Sequence, residues 1–144
     1  MTKEKYKAWV HAARPRTLPL AFSSSLMGSF VAWHDGIFRW AVFGLALLTT
    51  LFLQILSNLA NDYGDSVNGA DNPERVGPAR TVQNGAISLR EMKTAVIITA
   101  ALALISGILL IGSGIGFTLS GGWLAFLGLG ITAVAAAVMY TAGS

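Results

Sequence analysis

The 144-residue sequence contains no cysteine, which excludes disulfide bonds and thiolate metal sites. Charged residues are also scarce, at 12% of the chain, whereas a soluble domain carries about 25%. Acidic and basic side chains are missing altogether from residues 17–34, 40–61 and 94–144. Because a helix needs roughly 20 apolar residues to cross the bilayer core, these stretches predict a membrane protein.

Four membrane helices are predicted, over residues 17–33, 41–60, 94–111 and 123–141. The glycine-rich stretch GSGIGFTLSGG, residues 112–122, supplies a turn that divides the last apolar run in two. A polar loop, residues 62–93, separates the second helix from the third, and Ser88 with Glu91 forms a capping-box pattern near its end. The sequence therefore predicts an all-α transmembrane helix bundle, with residues 1–144 forming part of a single membrane domain.

The distribution of basic residues predicts the orientation of this bundle. Of the ten lysines and arginines, only Arg39 lies in the short connection between the first two helices. The others lie in the N-terminal segment, in the 62–93 loop and at the start of the third helix. Since basic residues accumulate on the cytoplasmic side of a membrane protein, the N-terminus is predicted to be cytoplasmic. Topology accounts for these charges, so the bilayer is the predicted partner and nucleic acid is not.

The second apolar run ends in NLANDYGD, residues 58–65. Asn58, Asn61, Asp62 and Asp65 are spaced i, i+3, i+4 and i+7, so they share one face if the helix continues through them. Mg²⁺ takes oxygen ligands, typically one or two carboxylates together with water and phosphate oxygens. Asp62 and Asp65 are therefore candidate Mg²⁺ ligands, and the two asparagines can orient waters or a substrate.

The alternative interpretation of this stretch is an ordinary helix end, in which Asn and Asp turn the chain into a loop. That interpretation accounts for Asp65 beside Gly64. It accounts poorly for Gln54 and Asn58, which lie further inside the apolar run. Polar residues at membrane depth commonly mark a functional site.

Arginines near this stretch are candidates for binding an anionic group. Arg75 and Arg80, in ERVGPAR, can neutralise a diphosphate whose other oxygens contact Mg²⁺. Arg14 and Arg16, in ARPRTLP, stand at the predicted cytoplasmic mouth of the first helix, where either can meet an anionic substrate group. The positive-inside rule and interfacial anchoring explain the same arginines without a ligand.

Taken together, the motifs NLANDYGD, ERVGPAR, RPRTLPLAF and QNGAIS resemble the intramembrane aromatic prenyltransferases. They are most similar to the 1,4-dihydroxy-2-naphthoate polyprenyltransferase branch, which belongs to menaquinone biosynthesis. The resemblance implies a nine-helix bundle in the bacterial inner membrane, of which this chain would be the N-terminal part. It also implies Mg²⁺-dependent transfer of a polyprenyl group from polyprenyl diphosphate to 1,4-dihydroxy-2-naphthoate, which gives demethylmenaquinone.

The resemblance also implies site residues, carried over by position. Asn58, Asp62 and Asp65 would serve the first Asp-rich motif of the family, as catalytic residues and Mg²⁺ ligands. Substrate-binding roles would fall to Asn61 as a supporting polar group, Arg80 and Arg75 at the diphosphate, and Arg14 at the carboxylate of the aromatic acceptor.

The chain departs from the family pattern in one respect: no second Asp-rich motif follows. The acidic residues after Asp65 are Asp71, Glu74 and Glu91, all before the third predicted helix. The last predicted helix also lacks a basic anchor at its cytoplasmic end. These two features predict an incomplete and inactive fragment. A different functional class also stays open, a membrane transporter or carrier with a polar ion site at Asn58, Asp62 and Asp65, although such a site is expected near mid-bilayer.

Overall fold

The computed structural model describes residues 2–67 and 85–142, with side chains up to residue 139. All regular structure in these residues is helical, which confirms the predicted class. The elements are α1 (Lys3–Ala13), a 3₁₀ turn (Pro15–Thr17), α2 (Leu18–His34), α3 (Trp40–Val67), α4 (Leu89–Ile115) and α5 (Gly121–Ala142).

Three of the described helices, α3, α4 and α5, are long and apolar enough to cross a membrane. Helix α2, which corresponds to the first of the four predicted membrane helices, has 17 residues. At 1.5 Å per residue it rises about 25 Å, which is short of the ~30 Å hydrocarbon core. Its length therefore sets it apart from the other three.

The helices on either side of the predicted 62–93 loop extend into it. Helix α3 continues past residue 60 to Val67, so Asp62 and Asp65 are helical. Helix α4 starts at Leu89 rather than at residue 94 because the predicted capping box forms. The Ser88 hydroxyl accepts from the Glu91 N–H, and the Glu91 carboxylate accepts from the Ser88 N–H at 3.0 Å. These bonds satisfy N–H groups that would otherwise lack partners at a helix start.

The turn between α4 and α5 is also shorter than predicted, because α4 continues beyond residue 111 to Ile115. Gly116 then leaves the helix with a φ of +87°, a conformation that favours glycine. The Phe117 ring folds back onto Gly112, where an added Cβ would collide with it. A ring closing over a glycine thus fixes the start of the turn.

Helix α1 is an element that the sequence analysis did not predict. Thr2 caps its start, accepting from the Lys5 N–H through its hydroxyl. Ala8 and Ala12 face the core, at 8% and 1% exposure. Lys5 pairs with Glu91 of α4, with 2.5 Å between Nζ and Oε1. In the sequence, the lysines of this segment indicate membrane orientation, and the short helix is not evident.

The buried core lies at one end of the bundle, where α1 packs against α3. Its largest fully buried side chains are Leu56, Ile87 and Met92. By contrast, α2 has no buried residue, and neither has α5 through residue 139. Their exposed side chains are mostly apolar, which suits contact with lipid. A helix also pairs its own backbone polar groups, as the bilayer core requires.

Candidate functional site

The polar face of α3 forms one side of the candidate site. The helix is continuous from Trp40 to Val67, so the prediction that Asn58, Asn61, Asp62 and Asp65 share a face is confirmed. Asn58 and Asp62 are buried, with 6% and 3% exposure, and the other two are half-buried. Two carboxylates and two amides thus stand together at the end of an apolar helix.

Arg14 contacts this face directly. Its Nη2 donates to Oδ1 of Asp62 at 2.5 Å. The side chain of Asp62 is 5% exposed, and that of Arg14 is 29% exposed. Burying a carboxylate without a partner would be costly, and the guanidinium supplies the opposite charge and a strong hydrogen bond. Arg14 was expected at the mouth of the first membrane helix, but no sequence pattern paired it with Asp62.

The backbone of Arg14 has an unusual conformation. Its φ is +49° and its ψ is +61°, and among the described residues it is the one non-glycine with a positive φ. It ends α1, with its N–H bonded to the carbonyl of His11 at 3.1 Å. Pro15 follows directly, and a residue before proline prefers an extended backbone. Such a conformation costs about 1–3 kcal/mol and persists only where neighbouring contacts impose it.

Those contacts come from amide side chains of α3. The Nδ2 of Asn58 donates to the carbonyl of Ala13 at 2.9 Å and to Oγ1 of Thr17 at 3.4 Å. One turn deeper, Nε2 of Gln54 donates to the same Oγ1 at 3.2 Å. Thr17 in turn donates to the carbonyl of Arg14, at 2.9 Å from its hydroxyl and 3.0 Å from its N–H. Asn58 and Gln54 therefore bind the connection between α1 and α2.

Thr17 is the residue of this network that sequence reasoning missed. In the sequence it only marks the start of the first predicted membrane helix. A detectable signal did exist, since a hydroxyl between Pro15 and Pro19 marks a bend beside the polar stripe of the next helix. Helix-start chemistry explained the same residue equally well, so the sequence could not choose.

Several predicted site residues are not tested by this geometry. Arg75 and Arg80 lie between residues 68 and 84, outside the described residues. Asn61 lies on the shared face, half-buried. For Asn58, the contacts above use the amide nitrogen, whereas the predicted metal role requires the amide oxygen. Its role as a ligand stays a prediction.

The donor chemistry of this face can be compared with the requirements of Mg²⁺. Among the described residues, no group of three His, Cys, Asp or Glu side chains is arranged to hold a metal ion. Mg²⁺ typically takes only one or two carboxylates and completes its shell with water and phosphate oxygens. Asp62 and Asp65 fit that limited requirement, with Asn58 and Asn61 as further oxygen donors. The residues fit a cation that arrives with a phosphate-bearing substrate better than a permanently enclosed ion.

The opposite end of the α2–α3 hairpin is aromatic. The Phe38 ring packs edge-on against Trp33 and Trp40, with centroids 5.1 and 5.0 Å apart. These rings line a cleft of about 290 Å³ with Phe43, Phe30, Leu26 and Ser29. Tryptophan concentrates at membrane interfaces, so Trp33 and Trp40 are typical of one interface. Asp62 lies about 33 Å from Trp40 along α3, at 1.5 Å per residue, which is close to the ~30 Å thickness of the hydrocarbon core. This distance favours the opposite interface over mid-bilayer for the polar face.

Comparisons with known proteins agree with this architecture. The model of the UbiA prenyltransferase family matches residues 21–143. The chain is 48% identical over 138 residues to "1,4-dihydroxy-2-naphthoate octaprenyltransferase" of Escherichia coli K12, covering 96% of this chain and 44% of that protein. It is 46% identical over 145 residues to the protein of the same name from Haemophilus influenzae, covering 99% and 46%.

A more distant relative of the same name, from Mycobacterium tuberculosis, is 36% identical over 140 residues, covering 96% of this chain and 44% of that protein. The chain thus spans less than half the length of the curated relatives it matches. No solved structure matches it. The family match and the apolar helices together identify a multi-pass membrane protein.

Proposed function

The chain belongs to the UbiA prenyltransferase family, and on that basis we propose that it forms part of a membrane enzyme of menaquinone biosynthesis. The enzyme transfers a polyprenyl group from polyprenyl diphosphate to 1,4-dihydroxy-2-naphthoate and gives demethylmenaquinone. The names of the relatives support this reaction. The structural observation that carries the proposal is the continuous helix α3, which ends in a partly buried face of two carboxylates and two amides.

The position of this face suits the two substrates. The diphosphate and the naphthoate are anionic and water-soluble groups, whereas the polyprenyl chain is apolar. A polar face at the end of an apolar helix lets the charged groups meet at the membrane surface while the chain stays in hydrocarbon. The bias of basic residues supports a cytoplasmic location for this end, with the N-terminus, in the inner membrane of a bacterium.

The proposed roles follow from charge and position. Asp62 and Asp65 hold Mg²⁺ with Asn58, and Asn61 supports the bound substrate. A bound Mg²⁺ ion would offset negative charge on the departing diphosphate. Arg75 and Arg80 are proposed to contact the same diphosphate, where fixed guanidinium groups favour the charge that develops as the bond breaks.

Arg14 has two compatible roles in this proposal. Its guanidinium has five N–H donors, so it can hold Asp62 as observed and also contact the carboxylate of the naphthoate. Because Asp62 is buried, the Arg14 contact fixes its carboxylate before substrate arrives. A site ordered in advance loses less freedom when it binds its substrate.

A transport function is less well supported, because a transporter site is expected near the bilayer midplane. The polar face instead lies within about the last three turns of α3, and its two carboxylates follow the charge-free part of the helix.

The test compares Asp62→Asn with Asp35→Asn. Asp35 is exposed at the opposite end of the bundle and serves as a matched control for the loss of one carboxylate. This chain covers only 44% and 46% of two relatives that carry the name of the enzyme. The assay therefore uses the whole product of the native gene, purified in detergent. Labelled polyprenyl diphosphate, 1,4-dihydroxy-2-naphthoate and graded Mg²⁺ are supplied, and the prenylated product is measured.

The Asp62→Asn protein is expected to lose roughly 100-fold or more in rate, as when a charge-stabilising group is removed from an active site. Asp35→Asn should retain full rate. Equal rates for the two variants would refute the assignment of the site. A wild-type protein that is folded but does not prenylate the naphthoate would refute the reaction itself.

A further inference from the structure

The strongest feature outside the predicted site residues is the network around the Thr17 hydroxyl. It accepts from Gln54 of α3 and donates to the carbonyl of Arg14, the residue before Pro15. Neither Thr17 nor Gln54 contacts Asp62 in this network. Both act on the backbone that carries Arg14, so their connection to Asp62 runs through that residue.

The geometry explains how Arg14 keeps its strained conformation. The φ and ψ of a residue are fixed when the peptide planes on both sides are fixed. The plane before Arg14 is tied through the carbonyl of Ala13, which accepts from Asn58 at 2.9 Å. The plane after it is tied through its own carbonyl, which accepts both Thr17 bonds. Gln54 holds Thr17 in place from the side of α3.

We propose that Thr17 and Gln54 are positioning residues that aim the Arg14 guanidinium at Asp62 by fixing the backbone of Arg14. Without the Thr17 hydroxyl, the peptide after Arg14 loses a tie and the residue can relax towards the extended conformation that Pro15 favours. The guanidinium then leaves Asp62, and the carboxylate is no longer held for substrate binding. The functional part of this inference rests on the proposed prenyl transfer.

The kinetic test compares Thr17→Val, Thr17→Ser and Thr50→Val in the native gene product. Thr50 hydrogen-bonds Ser25 at 2.9 Å, so Thr50→Val removes an α2–α3 contact away from Arg14 and is the matched control. Thr17→Val is expected to raise the KM for polyprenyl diphosphate roughly tenfold, the factor that corresponds to one lost hydrogen bond. Its kcat should change less than about twofold, because binding of the substrate and binding of the transition state are weakened alike.

The conservative Thr17→Ser variant keeps the hydroxyl and should restore the KM. Thr50→Val should leave it unchanged. If Thr17→Val and Thr50→Val raise the KM equally, the effect is loss of helix packing and the positioning role is refuted. A Thr17→Ser protein as impaired as Thr17→Val would refute it as well.

A second readout needs no catalysis. Trypsin can cleave after Arg16, in the connection itself, and cleavage there reports how often the connection opens. Gln54→Leu leaves the sequence of the cleavage site intact and should speed this cut roughly tenfold for the loss of one hydrogen bond. The cut after Lys7 in α1 serves as the internal reference. An unchanged ratio of the two cuts would refute the role of Gln54, even where the prenyl transfer assay gives no activity.

Discussion

Replacing Arg14 with methionine removes the guanidinium that contacts Asp62 while keeping an unbranched side chain of similar length. The Asp62 side chain is 5% exposed and that of Arg14 is 29% exposed, so the pair is neither fully buried nor at the surface. Removing one partner of a fully buried pair costs about 3–5 kcal/mol, whereas an exposed pair contributes about 0–1 kcal/mol. We therefore expect Arg14→Met to lower the free energy of unfolding by about 2 kcal/mol.

A glycine at the same position separates the ion pair from the backbone strain. Arg14→Gly also removes the guanidinium, but glycine adopts the observed φ of +49° without steric cost. A non-glycine residue in this region costs about 1–2 kcal/mol. The glycine protein is therefore expected to be about 1 kcal/mol more stable than the methionine protein, although it has lost more of the side chain.

The assay is reversible unfolding by SDS titration in mixed micelles, followed by circular dichroism. A double-mutant cycle of Arg14→Met with Asp62→Asn isolates the interaction between the two side chains, with an expected coupling of about 1.5 kcal/mol. Arg39→Met is the control, because Arg39 is exposed at the far end of the bundle. It should change the stability by less than about 0.5 kcal/mol.

Two results would refute this reasoning. A coupling below about 0.5 kcal/mol would mean that the contact contributes no more than an exposed ion pair. A glycine protein less stable than the methionine protein would show that the conformation of Arg14 is not strained.

Two further changes test the packing of α1 and the start of α4. Ala12, at 1% exposure, should not tolerate leucine, and Ala12→Leu is expected to cost about 1–3 kcal/mol by overpacking. Val10→Leu on the same helix, at 41% exposure, is the control and should be neutral in the same SDS titration. Ser88→Ala removes the cap of α4 and should cost about 1 kcal/mol. Faster hydrogen exchange of the amides in the first turn of α4 would locate that loss, and unchanged exchange would contradict it.

The class of the protein was predictable because membrane helices obey a strong one-dimensional rule. Long charge-free runs cannot be accommodated in a small soluble domain, and helices are the simplest way to satisfy backbone hydrogen bonds in lipid. The capping box at Ser88 was predictable for a related reason, since its partners lie three residues apart. The shared face of Asn58, Asn61, Asp62 and Asp65 also follows from local spacing once the helix continues.

The helix ends were harder to predict. Composition suggested that α3 ends at residue 60, where the apolar run stops, yet it continues to Val67. Helical hydrogen bonding does not depend on apolar side chains, so the membrane boundary and the helix boundary need not coincide. Helix α1 was not predicted, because it is short and rich in lysine and buries only two alanines.

An all-helical membrane chain with a carboxylate and amide face at one helix end is predictable from the amino-acid sequence, because those features depend on local composition and periodicity. The packing of the helices was needed to show that Arg14 faces Asp62 and that Thr17 and Gln54 hold the backbone of Arg14. The contacts between helices, Arg14 with Asp62 and Thr17 with Gln54, join residues 48 and 37 positions apart. No local pattern encodes such a distance, which is set by the way α1 and α2 pack against α3.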